Sequence, residues 1–293
     1  ATNDLLTAKN RRGNTMTNTY DAAGNLTTAT APDGTFSTFT YSPQGLALTS
    51  TDPRAKTTTY GYDAQANLTE TTTPLGNLTT MTYDAAGRML SIVDPRGNVT
   101  GANPELYRTT LTYDPAGNVL SATDPLGNVT TTTYDPAGNR TSVKDASNRT
   151  TSYAYDPANH LTSVTDALGG VTAYAYDPTG NLVSRTDAKT HVTGYTYDLV
   201  GRLTATTDPA NRVWTRTYDP AGNTATRRDA NAKTTTFGYD AINRLTAITY
   251  AASATAPVSY TYDGNGNRTT MTDGAGTETY AYDTLDRLTG VTR

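Results

Sequence analysis

The sequence predicts an all-β protein: tandem 21-residue repeats forming a continuous antiparallel β-ribbon that spirals into a shell or tube. Three observations predict it. Tyr-Asp recurs at Tyr20, Tyr62, Tyr83, Tyr113, Tyr134, Tyr155, Tyr176, Tyr197, Tyr218, Tyr239, Tyr262 and Tyr282, with Tyr41-Ser42 filling the one gap. The spacings are 21, 21, 21, 30, 21, 21, 21, 21, 21, 21, 23 and 20 residues, so 13 copies span 1–293 as a single array; a period this strict defines the architecture before any other signal. Turn residues also punctuate the chain every ten or eleven positions, which leaves no room for helices. Between the turns lie short runs rich in Thr, Val and Tyr, the composition of strands.

One repeat shows each element in order. Asp177-Pro178-Thr179-Gly180-Asn181 is a turn. Asp accepts hydrogen bonds from amides two or three residues on, Pro presets φ, and Gly takes the left-handed conformation after a type I turn. That is a hairpin connection with a bulge. Leu182 to Thr186 is a strand, Asp187 to His191 a second turn, and Val192 to Tyr197 a second strand. Strands of about six residues are roughly 20 Å long. Alternation places Tyr195 and Tyr197 on one face, as it does Tyr174 and Tyr176 or Tyr280 and Tyr282. Stacked repeats would line these rings up in a column, where cross-strand aromatic pairs stabilise the sheet. The other strand carries a Leu slot, as at Leu161 and Leu245, and an apolar slot three residues later, as at Val164 and Ile248. Three is odd, so the two slots are expected on opposite faces.

About 26 such strands at ~4.8 Å spacing make roughly 125 Å of sheet. An open sheet of more than ~10 strands curls or splits, so the ribbon is expected to coil around a lumen some ~40 Å across. The terminal repeats read as cut and not capped, which implies a segment of a longer protein. Asn10-Arg11-Arg12-Gly13-Asn14 falls in phase with a turn. Insertion loops are expected near 101–109 and 251–257.

Composition supports a thin wall over a thick core. Only 35% of the 293 residues are apolar and the mean hydropathy is -0.57, below the roughly 45–50% of ordinary globules on a definition that also counts Gly. Regularly spaced tyrosines, 21 in all, argue against disorder. A net charge of -4 argues against nucleic acid binding. No apolar run is long enough for a membrane span. There are no cysteines, hence no disulfides.

The motif Tyr-Asp-x-x-Gly-Asn/Arg-Leu-Thr stands as Tyr83-Asp84-Ala85-Ala86-Gly87-Arg88 and Tyr176-Asp177-Pro178-Thr179-Gly180-Asn181-Leu182. It resembles the Rhs/YD-repeat family, which includes Rhs polymorphic toxins, Tc toxin shell components and teneurins. The resemblance implies a β-ribbon wound into a hollow shell, with a secreted or cell-surface location. In bacterial members the shell encloses a toxin; in teneurins it is an adhesion scaffold. The self-cleaving plug of bacterial shells has no counterpart after Tyr282, and Asp124-Pro125-Leu126-Gly127-Asn128 sits in register with ordinary turns.

The residues point to no catalytic, cofactor or metal site, and so to no enzyme. Each Asp begins a turn, and the Asp and Asn spacing does not match calcium-binding nonapeptides. His160 and His191 take the place of Asn at turn ends and read as solvated turn residues. No nucleophile elbow, phosphate loop or zinc helix motif occurs. Asn-x-Thr sequons arise because turn Asn precedes strand Thr. Trp214, in a slot held elsewhere by Thr172 or Thr193, and Tyr107 in the large insertion are the candidates for an interaction surface. Expected partners are a polypeptide cargo or further repeats of the same protein, with self-association. The leading functional expectation is a shell wall around a polypeptide cargo. An extracellular fibre or adhesion scaffold is the alternative, and a sugar-binding module a weaker third.

Overall fold

The computed structural model describes residues 5–9, 13–251 and 254–293. These contain 27 strands and two short 3-10 turns. The chain divides into two compact units, residues 1–152 and 153–293. In each, every strand pairs antiparallel with the next in sequence, for example Leu182–Thr186 with Val192–Tyr197. The fold is all-β, as the turn spacing predicts. Part of the turn at 10–14 lies outside the described residues, as do 252 and 253 in the second insertion loop.

The turns are built from Asp outward. Asp177 Oδ1 accepts from the amides of Thr179 and Asn181, each at 2.9 Å, and Oδ2 accepts from Asn181 Nδ2 at 2.9 Å. The acceptor pattern is therefore two and four residues on, not two and three. The amide three residues on belongs to Gly180 and goes to the Asp177 carbonyl at 3.0 Å. Gly180 has φ 87°, in the left-handed region, and that reversal swings the next amide back to the carboxylate.

The Tyr-Asp hairpins at Tyr20, Tyr62, Tyr83, Tyr113, Tyr134, Tyr176, Tyr197, Tyr218, Tyr239, Tyr262 and Tyr282 each carry a register shift. Ala175 faces Ser184, but Tyr176 faces Leu182, leaving Val183 as the extra residue. The bulge changes the parity of the strand. Tyr174 faces Arg185 and Tyr176 faces Leu182, so the Leu slot and the slot three residues later share the tyrosine face. Met81 facing Ile92 and Tyr83 facing Met89 repeat the arrangement. The expectation that these slots lie on opposite faces is thus wrong, because simple alternation takes no account of a bulge between them.

The opposite face is held by hydroxyls. The residue before the repeat tyrosine meets a cross-strand partner at Thr40–Thr49 (2.7 Å), Thr112–Ser121 (2.6 Å) and Thr217–Thr226 (2.7 Å). Such pairs stabilise a solvated sheet face without apolar area, which accounts for the abundance of Thr. Only three described residues are buried: Ser91, Val93 and Gly97. All three belong to the large insertion and the strand before it. The turns Pro95–Asn98 and Pro104–Tyr107 fold back onto that strand. Asn98 Nδ2 donates to the Leu78 carbonyl at 2.9 Å, and Arg108 donates to Ser91 Oγ at 2.8 Å.

Candidate interaction surface

The repeat tyrosines act between repeats. Tyr176 donates its phenol proton to the carbonyl of Leu161 at 2.9 Å, and Tyr197 to that of Leu182 at 2.9 Å. Tyr20, Tyr83, Tyr113, Tyr134, Tyr218, Tyr239, Tyr262 and Tyr282 make the same bond, the ten spanning 2.7 to 3.1 Å. The acceptor is in each case the residue in, or in phase with, the Leu slot. The ladder between the two strands stops before that slot, at Ser163–Ala173 and Ser184–Gly194, and leaves a carbonyl to be satisfied. Tyr62 faces Leu68 across its bulge, and Tyr155 ends the strand Thr150–Tyr155, half-buried. Burial pushes the phenols of Tyr176, Tyr197 and Tyr262 above their usual pKa, which keeps them protonated donors.

Where Arg or His ends a Tyr-Asp turn at 88, 160, 202 and 244, it reaches the tyrosine of the next repeat. The guanidinium of Arg202 lies 4.6 Å from the Tyr218 ring and that of Arg244 4.7 Å from Tyr262. Arg88 stacks over Tyr113 at 5.0 Å and donates to the Asp114 carbonyl at 2.8 Å. His160 stacks on Tyr176, with ring centroids 4.8 Å apart, and its Nδ1 lies 3.0 Å from Asp156 Oδ2. At these positions the ring's neighbour is a cation or imidazole instead of another tyrosine. His160 is half-buried, so it is not the solvated turn residue that its position implies. The signal for these contacts was present in the sequence as Asn, Arg or His alternating at one slot.

Trp214 stands in the strand Val213–Tyr218 opposite Thr206, 37% exposed, with Arg212 at 5.6 Å from its ring. It lines a groove of about 630 Å³ together with Arg216, Arg227, Arg228, Lys233 and Tyr250. Tyr107 lies under Arg96 at 5.2 Å and closes over Gly97. The two aromatics belong to different units. Among the described residues no cluster of three or more His, Cys, Asp or Glu side chains could hold a metal ion. No helix there is long and apolar enough to cross a membrane.

A model of the teneurin YD-shell matches residues 100–255, more than half of the chain. The chain belongs to the teneurin YD-shell family. RHS repeat models match 20–57, 41–78, 66–99 and 262–293. None of the curated protein sequences matches this YD-shell chain. Among solved structures, TcdB2-TccC3-Cdc42 is similar at a TM-score of 0.57 and 18% identity, over 94% of this chain and 18% of that one. TcdB2-TccC3 is similar at 0.55 and 17%, over 96% of this chain and 20% of that one. This YD-shell chain therefore spans about a fifth of the length of the structures it matches. These likenesses show the same fold. The matched families are structural shell repeats, and this chain has a structural shell role.

Proposed function

We propose that the chain is wall material of a secreted YD-repeat shell that encloses a polypeptide cargo and carries out no chemistry of its own. The tyrosine bond between repeats is the observation that supports this most. A wall one sheet thick has almost no buried core, so each repeat must be fastened to its neighbour by specific bonds. The phenol-to-carbonyl bonds at 2.7 to 3.1 Å do this while satisfying a backbone carbonyl beyond the end of the ladder. Sequestration follows physically, because a closed hydrogen-bonded sheet presents neither a sheet edge nor a loop end to proteases and partners on the other side. The test is limited proteolysis of the intact protein. Full-length repeats should persist until the shell is opened by acid or denaturant, and rapid cutting throughout the repeats of the intact protein would refute the reading.

One feature favours a second reading, an extracellular fibre or cell-surface adhesion scaffold that self-associates. Leu75, Leu126 and Leu168 occupy turn tips at 84%, 86% and 97% exposure. Contact with another copy would take these side chains out of water. In that reading Trp214 and Tyr107 belong to the contact surfaces. Concentration-dependent fibres in electron micrographs, lost on Leu126→Ser and Leu168→Ser, would decide for it.

A further inference from the structure

We propose that the groove beside Trp214 holds an acidic, extended segment of polypeptide; the proposal rests on the cargo-shell reading, the segment being part of the enclosed chain. The groove gathers on one surface four cations that no turn Asp neutralises. Arg88, Arg149, Arg202, Arg212, Arg244 and Arg287 each sit at a turn end and pair with the Asp of their own turn. Arg216, Arg227 and Arg228 instead project from strands, and Lys233 from a turn, all exposed. None of the four takes part in an ion pair found among the described residues. Asp229, the acid beside them, spends Oδ1 on the amides of Asn231 and Lys233.

Two of these cations are placed against each other. Arg216 faces Arg227 directly across the ladder, and like charges in directly opposed positions destabilise a sheet. The repeat offers a neutral solution at both slots: Tyr174 stands in the position of Arg216 and Val164 in that of Arg227. Arg227 stacks over the Phe237 ring at 5.5 Å, which leaves its N–H groups at the ring edge; a pair of guanidiniums with no carboxylate partner is a preformed fork for carboxylate oxygens. An anion bridging them removes the repulsion and gains charge-assisted bonds at once.

The rest of the groove selects among anions. Four of its five charged lining residues, Arg216, Arg227, Arg228 and Lys233, are donors, Asp229 being the fifth, and they spread over about 630 Å³, which suits several carboxylates on flexible stems. Backbone groups of the strands beneath are used in their own ladder, so recognition has to come from side chains and not from strand addition. Trp214 and Tyr250 supply apolar contact for the stems. Single-stranded nucleic acid would need a succession of stacking platforms, and the chain's single tryptophan is one platform on a molecule of net charge -4.

Because Trp214 is the only tryptophan, its fluorescence reports the groove directly. The probe is a blocked peptide of about ten residues alternating Glu and Ser, titrated at low salt and at about 0.5 M salt, where screening collapses such contacts. A saturable change at low salt, weakened about tenfold or more in Arg216→Tyr/Arg227→Val and largely lost at high salt, is the expected result. That double variant installs residues the repeat already uses at these slots, and its melting temperature should equal or exceed that of the parent. No saturable change, or equal binding of the Gln-for-Glu peptide, overturns the proposal. Tighter binding of oligothymidylate or oligogalacturonate than of the Glu peptide overturns it too, assigning the groove to that class. Protease protection of the intact protein is read separately, so failure of the shell reading and failure of the groove show in different experiments.

Discussion

At the level of single residues, the phenol of the Tyr-Asp tyrosine does the work that apolar burial does in thicker proteins. Tyr176→Phe removes the donor to Leu161 but keeps the ring under His160. The loss should be about 1 kcal/mol of stability, read from urea unfolding monitored by circular dichroism; an unchanged midpoint would mean that solvent replaces the bond at no cost. The turns yield a second prediction. Most left-handed turn positions hold Gly, but Thr190 sits there at φ 65°. A β-branched residue is strained in that region, and Thr190→Gly should stabilise its unit by roughly 0.5–1 kcal/mol after the entropy of Gly is subtracted. A fall in melting temperature would refute this. The turn chemistry was legible in the sequence, since Asp, Pro and Gly announce it by type. The tyrosine's partner was not, because the acceptor is a backbone carbonyl and no side-chain pattern records which carbonyls a ladder leaves unused.

At the level of elements, the strands and their lengths could be read from the sequence, whereas the pairing of faces could not. A bulge shifts parity without any residue type that marks it, so alternation alone puts Leu245 and Ile248 on opposite faces, whereas the register sets them against Tyr239 and Phe237 on one face. The large insertion is the other element that composition concealed. Its residues read as an open loop, yet it folds into two 3-10 turns and contributes to the one buried spot among the described residues. Gly97 is the reason it closes: a Cβ there would stand 2.6 Å from Val93 Cγ1 and 2.8 Å from Tyr107 Cβ. Gly97→Ala should therefore force the insert off the strand at a cost of about 1–3 kcal/mol. Hydrogen exchange should speed up at Val93 and Tyr107 and stay unchanged in the strand Val192–Tyr197. An alanine variant with unaltered exchange would show that the insert yields without cost.

At the level of the whole molecule, the same turn written many times makes stability a collective function of acidity. Hydrogen bonds from Asn, Arg, Thr and backbone amides hold 18 aspartates below the usual carboxylate range, with Asp177 lowered to about 2 by Asn181 and then Thr179. A carboxyl with a depressed folded-state pKa favours the folded state at any pH above its unfolded value of 3.8, and that contribution disappears as pH falls through the folded value. Between these limits the unfolded chain binds protons that the folded chain refuses. Each turn is solvent-exposed and adds little, but every term has the same sign, so the effect sums over the array. The melting temperature should be flat from about pH 7 to pH 5 and fall steeply between about pH 4 and pH 2. Unfolding near pH 3 should take up several protons per molecule, a number given directly by the slope of stability against pH. Asp177→Asn, which removes one titrating turn, should flatten that slope slightly while lowering stability at neutral pH. A melting temperature independent of pH down to 2.5 would show that the carboxylates are not what holds the turns, and the wall would then rest on the tyrosine bonds and the ladder alone.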